Sequence, residues 1–204
     1  MTYNNCCFTF RKIFKVLEDI IAVVALYRPG PMENIPNYIN RKHGIEEIEY
    51  MHESLSGILS ETYGIFIYQE QVMQAAQVLA DYSLASADIL RRAMGKKDKK
   101  EMASQREKFR QGALNNGIEK SSAMAIFDKI EKFASYGFNK SHAVAYAVDS
   151  YYAAWLHTHY EKEWLATILQ SENNSPKGLA KAISEIKSYK FDFVSADVNY
   201  SGEQ

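Results

Sequence analysis

Along most of this chain, apolar residues return every three or four positions, which is the spacing of one face of an α-helix. The first such stretch, over 17–26, carries Leu17, Ile20, Ile21 and Val24 on one face. Comparable patterns predict further helices from Pro31 to Gly44, over 54–60, 69–79, 86–94, 98–116, 120–135 and 161–171, a long helix opened by Ser141, and a last helix from Ser175-Pro176. The predicted fold class is mainly α, a multi-helix domain. Two short β-rich segments add at most a small β element: 64–68 and 191–194.

Local signals mark several helix ends. Asp98 followed by Glu101 has the capping-box pattern, in which a side-chain acceptor precedes a helix and a carboxylate sits three residues later. Three glycines follow apolar periodic stretches and are predicted to end helices there: Gly95, Gly117 and Gly137.

Composition and charge exclude several classes of protein. The 204 residues carry 24 Lys and Arg against 25 Asp and Glu, so a polyanion partner requires local clustering of charge. The two cysteines, Cys6 and Cys7, are adjacent and form neither a disulfide framework nor a zinc motif, which suits a reducing, cytoplasmic setting. The longest apolar run, 20–27, is too short for a membrane span of roughly 20 residues, and no membrane partner is expected.

The strongest local charge lies between Arg91 and Arg110, a stretch that contains nine basic and three acidic residues. A solvated helix face accounts for such a run in most proteins. The functional alternative is a phosphate-binding edge, because guanidinium groups offer paired donors to phosphate and lysines add mobile charge.

A second candidate region, over 132–159, combines four tyrosines, three histidines and a tryptophan. His142 and Tyr146 are four residues apart, so they share one face beside Lys140. Such a surface suits stacking against a base or sugar, and packing inside the protein is an equally good reading. The N-terminus of this helix favours an anion, whereas Tyr152 and Trp155 are better explained as core or interface anchors.

Four collinear motifs closely resemble one family, the alpha subunits of bacterial DNA polymerase III, which are C-family replicative DNA polymerases. The likeness runs over about nine-tenths of the chain, from Leu17 to Asn199, and covers the fingers region. The motifs are ALYRPGPMENIPNYINRKHG (25–44), YGIFIYQEQVMQ (63–74), LRRAMGKKDKKEM (90–102) and FASYGFNKSHAVAYA (133–147).

The resemblance implies a nucleotidyltransferase in DNA replication that extends a primer with deoxynucleoside triphosphates by Mg²⁺-assisted phosphoryl transfer. In this family Mg²⁺ is held by palm carboxylates, and the resemblance places these upstream of the part matched here. We therefore expect them to be absent from this chain, which is consistent with its lack of an Asp-x-Asp pair. This chain alone is therefore expected to be inactive, with no catalytic residue and no metal ligand of its own. The implied partners are primer–template DNA, the triphosphates, the remaining domains of the subunit and other replisome subunits.

The resemblance also assigns eight residues to nucleotide or phosphate binding. His142 would lie near the sugar, where it would help to exclude a 2′-hydroxyl, and Tyr146 would pack against the base pair. The basic motif would face the triphosphate or nearby backbone, and the turn at 139–140 would open the nucleotide-facing helix. The full set is Arg91, Arg92, Lys96, Lys97, Asn139, Lys140, His142 and Tyr146.

The sequence further predicts three segments: an atypical start over 1–16, the fingers region over 17–172, and its C-terminal end over 173–204 with a terminal helix and a short strand. The alternative function is a non-catalytic nucleic-acid-binding or structural helical module.

Overall fold

The structure, a computed structural model, describes residues 15–96, 98–134, 136–189, 191 and 197–199. The predicted fold class is confirmed: the described chain is built from α-helices joined by short 3₁₀ turns. The helices are α1 (Leu17–Leu26), α2 (Ile35–Lys42), α3 (Ser56–Leu59), α4 (Gln69–Ala80), α5 (Leu84–Lys96), α6 (Lys99–Asn115), α7 (Lys120–Ala134), α8 (Lys140–His159), α9 (Glu161–Glu172) and α10 (Pro176–Ser188).

The cap of α6 forms as the sequence predicts. The Asp98 carboxylate accepts hydrogen bonds from the amides of Lys100 and Glu101, at 3.0 and 3.1 Å. Gly117 follows the helix with φ of +76°, a conformation that favours glycine.

Two predicted glycine ends are wrong. Helix α5 starts at Leu84 and continues through Gly95 to Lys96, because buried Ala93 and Met94 hold its last turn against the core. Gly137 does not adopt the left-handed conformation of a helix cap. Its carbonyl instead accepts a hydrogen bond from the Gln69 side chain at 3.2 Å.

The predicted strand over 64–68 is also wrong. This segment is extended but forms a single parallel bridge, between Tyr68 and Phe138. The amides of Ile67 and Tyr68 donate to the side-chain oxygen of Gln71, at 2.8 and 3.0 Å, so a helix residue takes the place of a partner strand. The second predicted strand, over 191–194, lies mostly outside the described residues.

The chain divides into two compact units, Met1–Val148 and Asp149–Gln204. In the first, one core cluster lies among α4, α5, α6 and α7, where Phe109 and Phe127 are fully buried with ring centroids 5.3 Å apart. A second cluster joins α1 to Tyr38, Tyr68 and the start of α8.

In the second unit, Leu165, Ala182 and Ile186 are buried on α9 and α10. Tyr152 and Trp155 are 59% and 41% exposed, so they are not core residues; that they anchor an interface stays a prediction. Among the described residues, no helix is both long enough and apolar enough to cross a membrane.

Candidate functional site

The N-terminus of α8 is fixed by side chains from its own turn and from α4. Asn139, not the predicted Ser141, is the cap, since its side-chain oxygen accepts from the His142 amide at 2.9 Å. The Glu70 carboxylate accepts from the Lys140 amide at 3.0 Å and from the Asn139 side chain at 3.0 Å. The protein therefore supplies its own anion at this helix end, where the sequence predicts an external one.

The Lys140 side chain is also engaged within the protein. Its ammonium group pairs with Glu61 at 2.6 Å and lies 5.4 Å from the centre of the Tyr68 ring. Burial raises the pKa of the Tyr68 hydroxyl, and the nearby charges of Glu61 and Glu70 add to the effect. The start of α8 thus carries two carboxylates that offset its cation.

His142 and Tyr146 form an exposed pair of rings on α8, as their spacing predicts. Their centroids are 4.6 Å apart in an edge-on arrangement, and Phe138 lies 5.4 Å from His142. Tyr146 is 54% exposed. On a neighbouring face, Ala143 and Ala147 are fully buried, so α8 lies close to the core and presents these rings outward.

The basic motif on α5 is organised by Asp88. Its carboxylate accepts from Arg91 at 2.9 Å and pairs with Arg92 at 2.6 Å, and these contacts lower the pKa of Asp88, the Arg91 hydrogen bond most of all. One carboxylate faces two guanidinium groups, and the Arg92 side chain stays 66% exposed. Lys96 is exposed one turn further on, and Lys97 lies outside the described residues.

Gln69 connects the two predicted regions. Its side-chain oxygen lies 3.5 Å from Arg91, at the limit of a hydrogen bond, while its amide nitrogen donates to Gly137 at 3.2 Å. Its backbone amide donates to Phe138 at 2.9 Å. The structure therefore brings the basic motif of α5 next to the turn that opens α8.

The rest of the basic run points elsewhere. Arg106 pairs with Asp128 and Glu131 of α7, at 2.9 Å for Glu131, and Arg110 pairs with Glu107. Lys108 donates to Ser86 at 2.9 Å and lies 4.6 Å from the Tyr82 ring centre. For α6, the interpretation as a solvated and paired helix face holds.

Several residues of the site escape prediction from sequence. Arg28 donates to the Tyr136 carbonyl and lies 4.6 Å from the Phe138 ring centre, which supports the same turn. Glu61, Glu70 and Gln69 act on partners about 70 residues away, so no local pattern reveals them. A sequence signal exists only for Asp88, which precedes Arg92 by one helical turn.

The described residues do not suit a divalent metal ion. No three His, Cys, Asp or Glu side chains converge among them. The carboxylates of the candidate site, Glu61, Glu70 and Asp88, are each engaged by lysine, arginine or backbone amide groups.

Comparison with known proteins gives a consistent picture. The family model of the bacterial DNA polymerase III alpha subunit finger domain matches residues 14–117. The chain is 55% identical over 186 residues to a DNA polymerase III subunit alpha of Chlamydia muridarum, covering 91% of the chain and 15% of that protein. It is 51% identical over 189 residues to that of Vibrio cholerae, covering 89% and 16%, and 50% identical over 184 residues to that of Neisseria meningitidis serogroup B, covering 90% and 16%. The chain spans about 15% of the length of the curated relatives it matches.

Proposed function

Because this chain belongs to the finger-domain family of bacterial DNA polymerase III alpha subunits, we propose that it binds the incoming deoxynucleoside triphosphate and primer–template DNA for template-directed nucleotidyl transfer. The observation that carries this proposal is that Gln69 contacts both Arg91 of α5 and the turn that opens α8, from which the His142–Tyr146 ring pair follows. Phosphate and base are the two parts of a nucleotide that these groups recognise. DNA-directed DNA polymerase activity belongs, on this proposal, to the whole cytoplasmic subunit acting with its other domains and with replisome subunits.

The triphosphate, or the nearby backbone of DNA, is assigned to α5. Asp88 and Gln69 hold the Arg91 guanidinium in one orientation, and that restraint reduces the entropy lost when it binds phosphate. Arg92 and Lys96, four residues apart on α5, are both exposed and supply further positive charge. This side of the proposed site holds more cations than anions.

The base and sugar are assigned to the start of α8. Exposed aromatic rings contribute roughly 1–3 kcal/mol per stacked base in proteins that bind single strands. Tyr146 offers such a surface, and His142 lies between it and the capped turn. Asn139 and Lys140 then act mainly by holding that turn, since both contact Glu70.

In this family the chemical step uses Mg²⁺, which lowers the barrier to phosphoryl transfer by neutralising developing charge. The described residues of this chain do not fit such a site, because no three suitable side chains converge and the carboxylates of the candidate site are already paired. We propose that palm carboxylates of the whole subunit hold the metal, and that the finger region contributes by orienting the nucleotide.

The test is fluorescence anisotropy of labelled primer–template DNA in a salt series, with the intact chain and with an Arg91→Ala/Arg92→Ala variant. Affinity should fall with salt, and the slope of log K against log salt should be shallower in the variant by roughly 1 for each phosphate that the protein no longer neutralises. A Lys177→Ala/Lys181→Ala variant removes two exposed charges from α10 and is the matched control.

The two variants separate the possible outcomes. If both bind like the intact chain, α5 does not contact phosphate and the assignment is wrong. If both lose the same affinity, net charge alone explains binding. If binding does not respond to salt, the structural-module alternative is favoured.

A further inference from the structure

A cavity of about 290 Å³ opens in the first unit, and none of its lining residues is among those assigned to the nucleotide. It is enclosed by the end of α1, the turn and short helix that follow, the 64–67 segment and the end of α7. Its floor is apolar, with Leu26, Pro31 and Ile67 all buried. Cavities that take small organic ligands in proteins measure roughly 300–1,000 Å³, so this one suits a small molecule and not a polymer.

The charged residues of the lining are mostly basic. Lys129 and Lys132 lie one turn apart on α7, Arg41 lies on α2, and among the described residues of the lining Glu33 is the single acidic one. The Arg41 guanidinium is already oriented, because it pairs with Glu46 at 2.7 Å and donates to the Tyr63 carbonyl at 3.2 Å. Two lysines and one oriented arginine are a donor set suited to a phosphate group.

Aromatic rings form part of the wall. Phe66 and Phe133 contact each other with centroids 5.8 Å apart, and Tyr136 completes the set. Rings placed beside an apolar floor favour a flat, weakly polar group. The cavity lining therefore contains both aromatic rings and basic side chains.

The wall is held in place by the backbone of the turn after α1. Gly30 has φ of +100°, and a Cβ at this position would overlap the Tyr136 ring. The ring thus packs directly on the glycine backbone, and Arg28 donates to the Tyr136 carbonyl from the other side. This arrangement fixes the cavity shape without a ligand.

We propose that this cavity binds a phosphate monoester carried on a planar ring, of the nucleoside monophosphate class, at a site separate from Arg91, Arg92 and the His142–Tyr146 pair. The ring enters against Phe66, Phe133 and Tyr136, and the phosphate lies at the rim with Lys129, Lys132 and Arg41.

The experiment is isothermal titration calorimetry of the full chain with AMP, adenosine and inorganic phosphate as separate probes. Saturable AMP binding is expected, tighter than that of either part. A Lys129→Ala/Lys132→Ala variant changes two exposed side chains and should weaken AMP binding at least about tenfold. The matched control is Lys177→Ala/Lys181→Ala on α10, and circular dichroism checks that each variant keeps its helical content.

A second variant addresses the cavity itself. Asn37 is exposed on α2 and lines the opening, so Asn37→Trp should fill the space and abolish AMP binding without disturbing the core. Absence of AMP binding by the intact chain, equal binding by the Lys129→Ala/Lys132→Ala variant, or phosphate binding as tight as AMP would each overturn the proposal. The Lys129→Ala/Lys132→Ala comparison is repeated in an Arg91→Ala/Arg92→Ala background, where the same loss of AMP binding is expected, and this keeps the result distinct from the test of the α5 surface.

Discussion

The contact between Glu70 and the start of α8 gives the sharpest test of how the site is held. Replacing Glu70 with alanine removes the carboxylate that accepts from the Lys140 amide and from the Asn139 side chain, at 3.0 Å each. The amide of the first residue of α8 would then lose its acceptor within the protein.

The expected cost follows from two contributions. Loss of a side-chain acceptor at a helix N-terminus costs about 1 kcal/mol, and loss of a negative charge there costs roughly 0.3–1 kcal/mol. Glu70→Ala should therefore lower the free energy of unfolding by about 1.5–2 kcal/mol. Glu70→Gln keeps an acceptor oxygen and removes the charge, so its effect should be about half as large.

The assay is urea unfolding followed by circular dichroism, with Glu18→Ala as the control. Glu18 lies in the first turn of α1, as the half-buried Glu70 lies in the first turn of α4, so Glu18→Ala reproduces the effect on the residue's own helix. Hydrogen exchange over 139–146 should also be faster in Glu70→Ala. Equal destabilisation by Glu70→Ala and Glu18→Ala, with unchanged exchange over 139–146, would refute the reasoning.

Two further predictions concern the core. Burial raises the pKa of Asp19, but hydrogen bonds from Lys42 and from backbone amides outweigh it and leave the pKa below its usual value of 3.8. Asp19→Ala should cost about 3–5 kcal/mol at pH 7 because it breaks a buried ion pair with Lys42. For Asp19→Asn, urea unfolding at pH 7 and pH 3 should show the loss of stability shrinking as pH falls through the folded-state pKa of Asp19, and a constant loss would contradict this. Gly112→Ala should destabilise by roughly 1–3 kcal/mol, because its Cβ would overlap the Ala80 carbonyl where α6 crosses α4. Gly57→Ala meets no neighbour and should be neutral or stabilising in thermal unfolding, so similar effects of the two changes would show that the close crossing is unimportant.

The helices could be predicted from the sequence because their signals are local. The range 17–26 matches α1, and Asp98 caps α6 as its spacing with Glu101 indicates. The predicted helix end at Gly95 was wrong because a glycine inside a helix lowers its stability by only about 1 kcal/mol relative to alanine. Core packing of the neighbouring residues offsets that loss. Predicted helix boundaries are wrong where tertiary contacts outweigh the local helix propensity.

The prediction of a strand over 64–68 was wrong for a different reason. Its residues have high β propensity, but propensity cannot say whether a partner strand exists. Here the Gln71 side chain accepts hydrogen bonds from two amides of the segment, and a single β-bridge pairs Tyr68 with Phe138. The candidate ring pair was predictable because both rings lie on one helix, four residues apart.

Where phosphate can bind depends on where the carboxylates lie, which the sequence does not show. In sequence, the start of α8 and the basic motif of α5 are equally good anion sites, since one offers a helix N-terminus and the other arginines. Among the described residues, Glu70 and Glu61 both contact Lys140 at the start of α8, whereas Asp88 is the one carboxylate that contacts Arg91 and Arg92. An incoming phosphate would have to displace two carboxylates at α8 but would meet an excess of positive charge at α5, because an anion is favoured where cations outnumber their partners. This balance of charge is the reason for proposing that phosphate binds at α5 and that α8 presents its rings to the base.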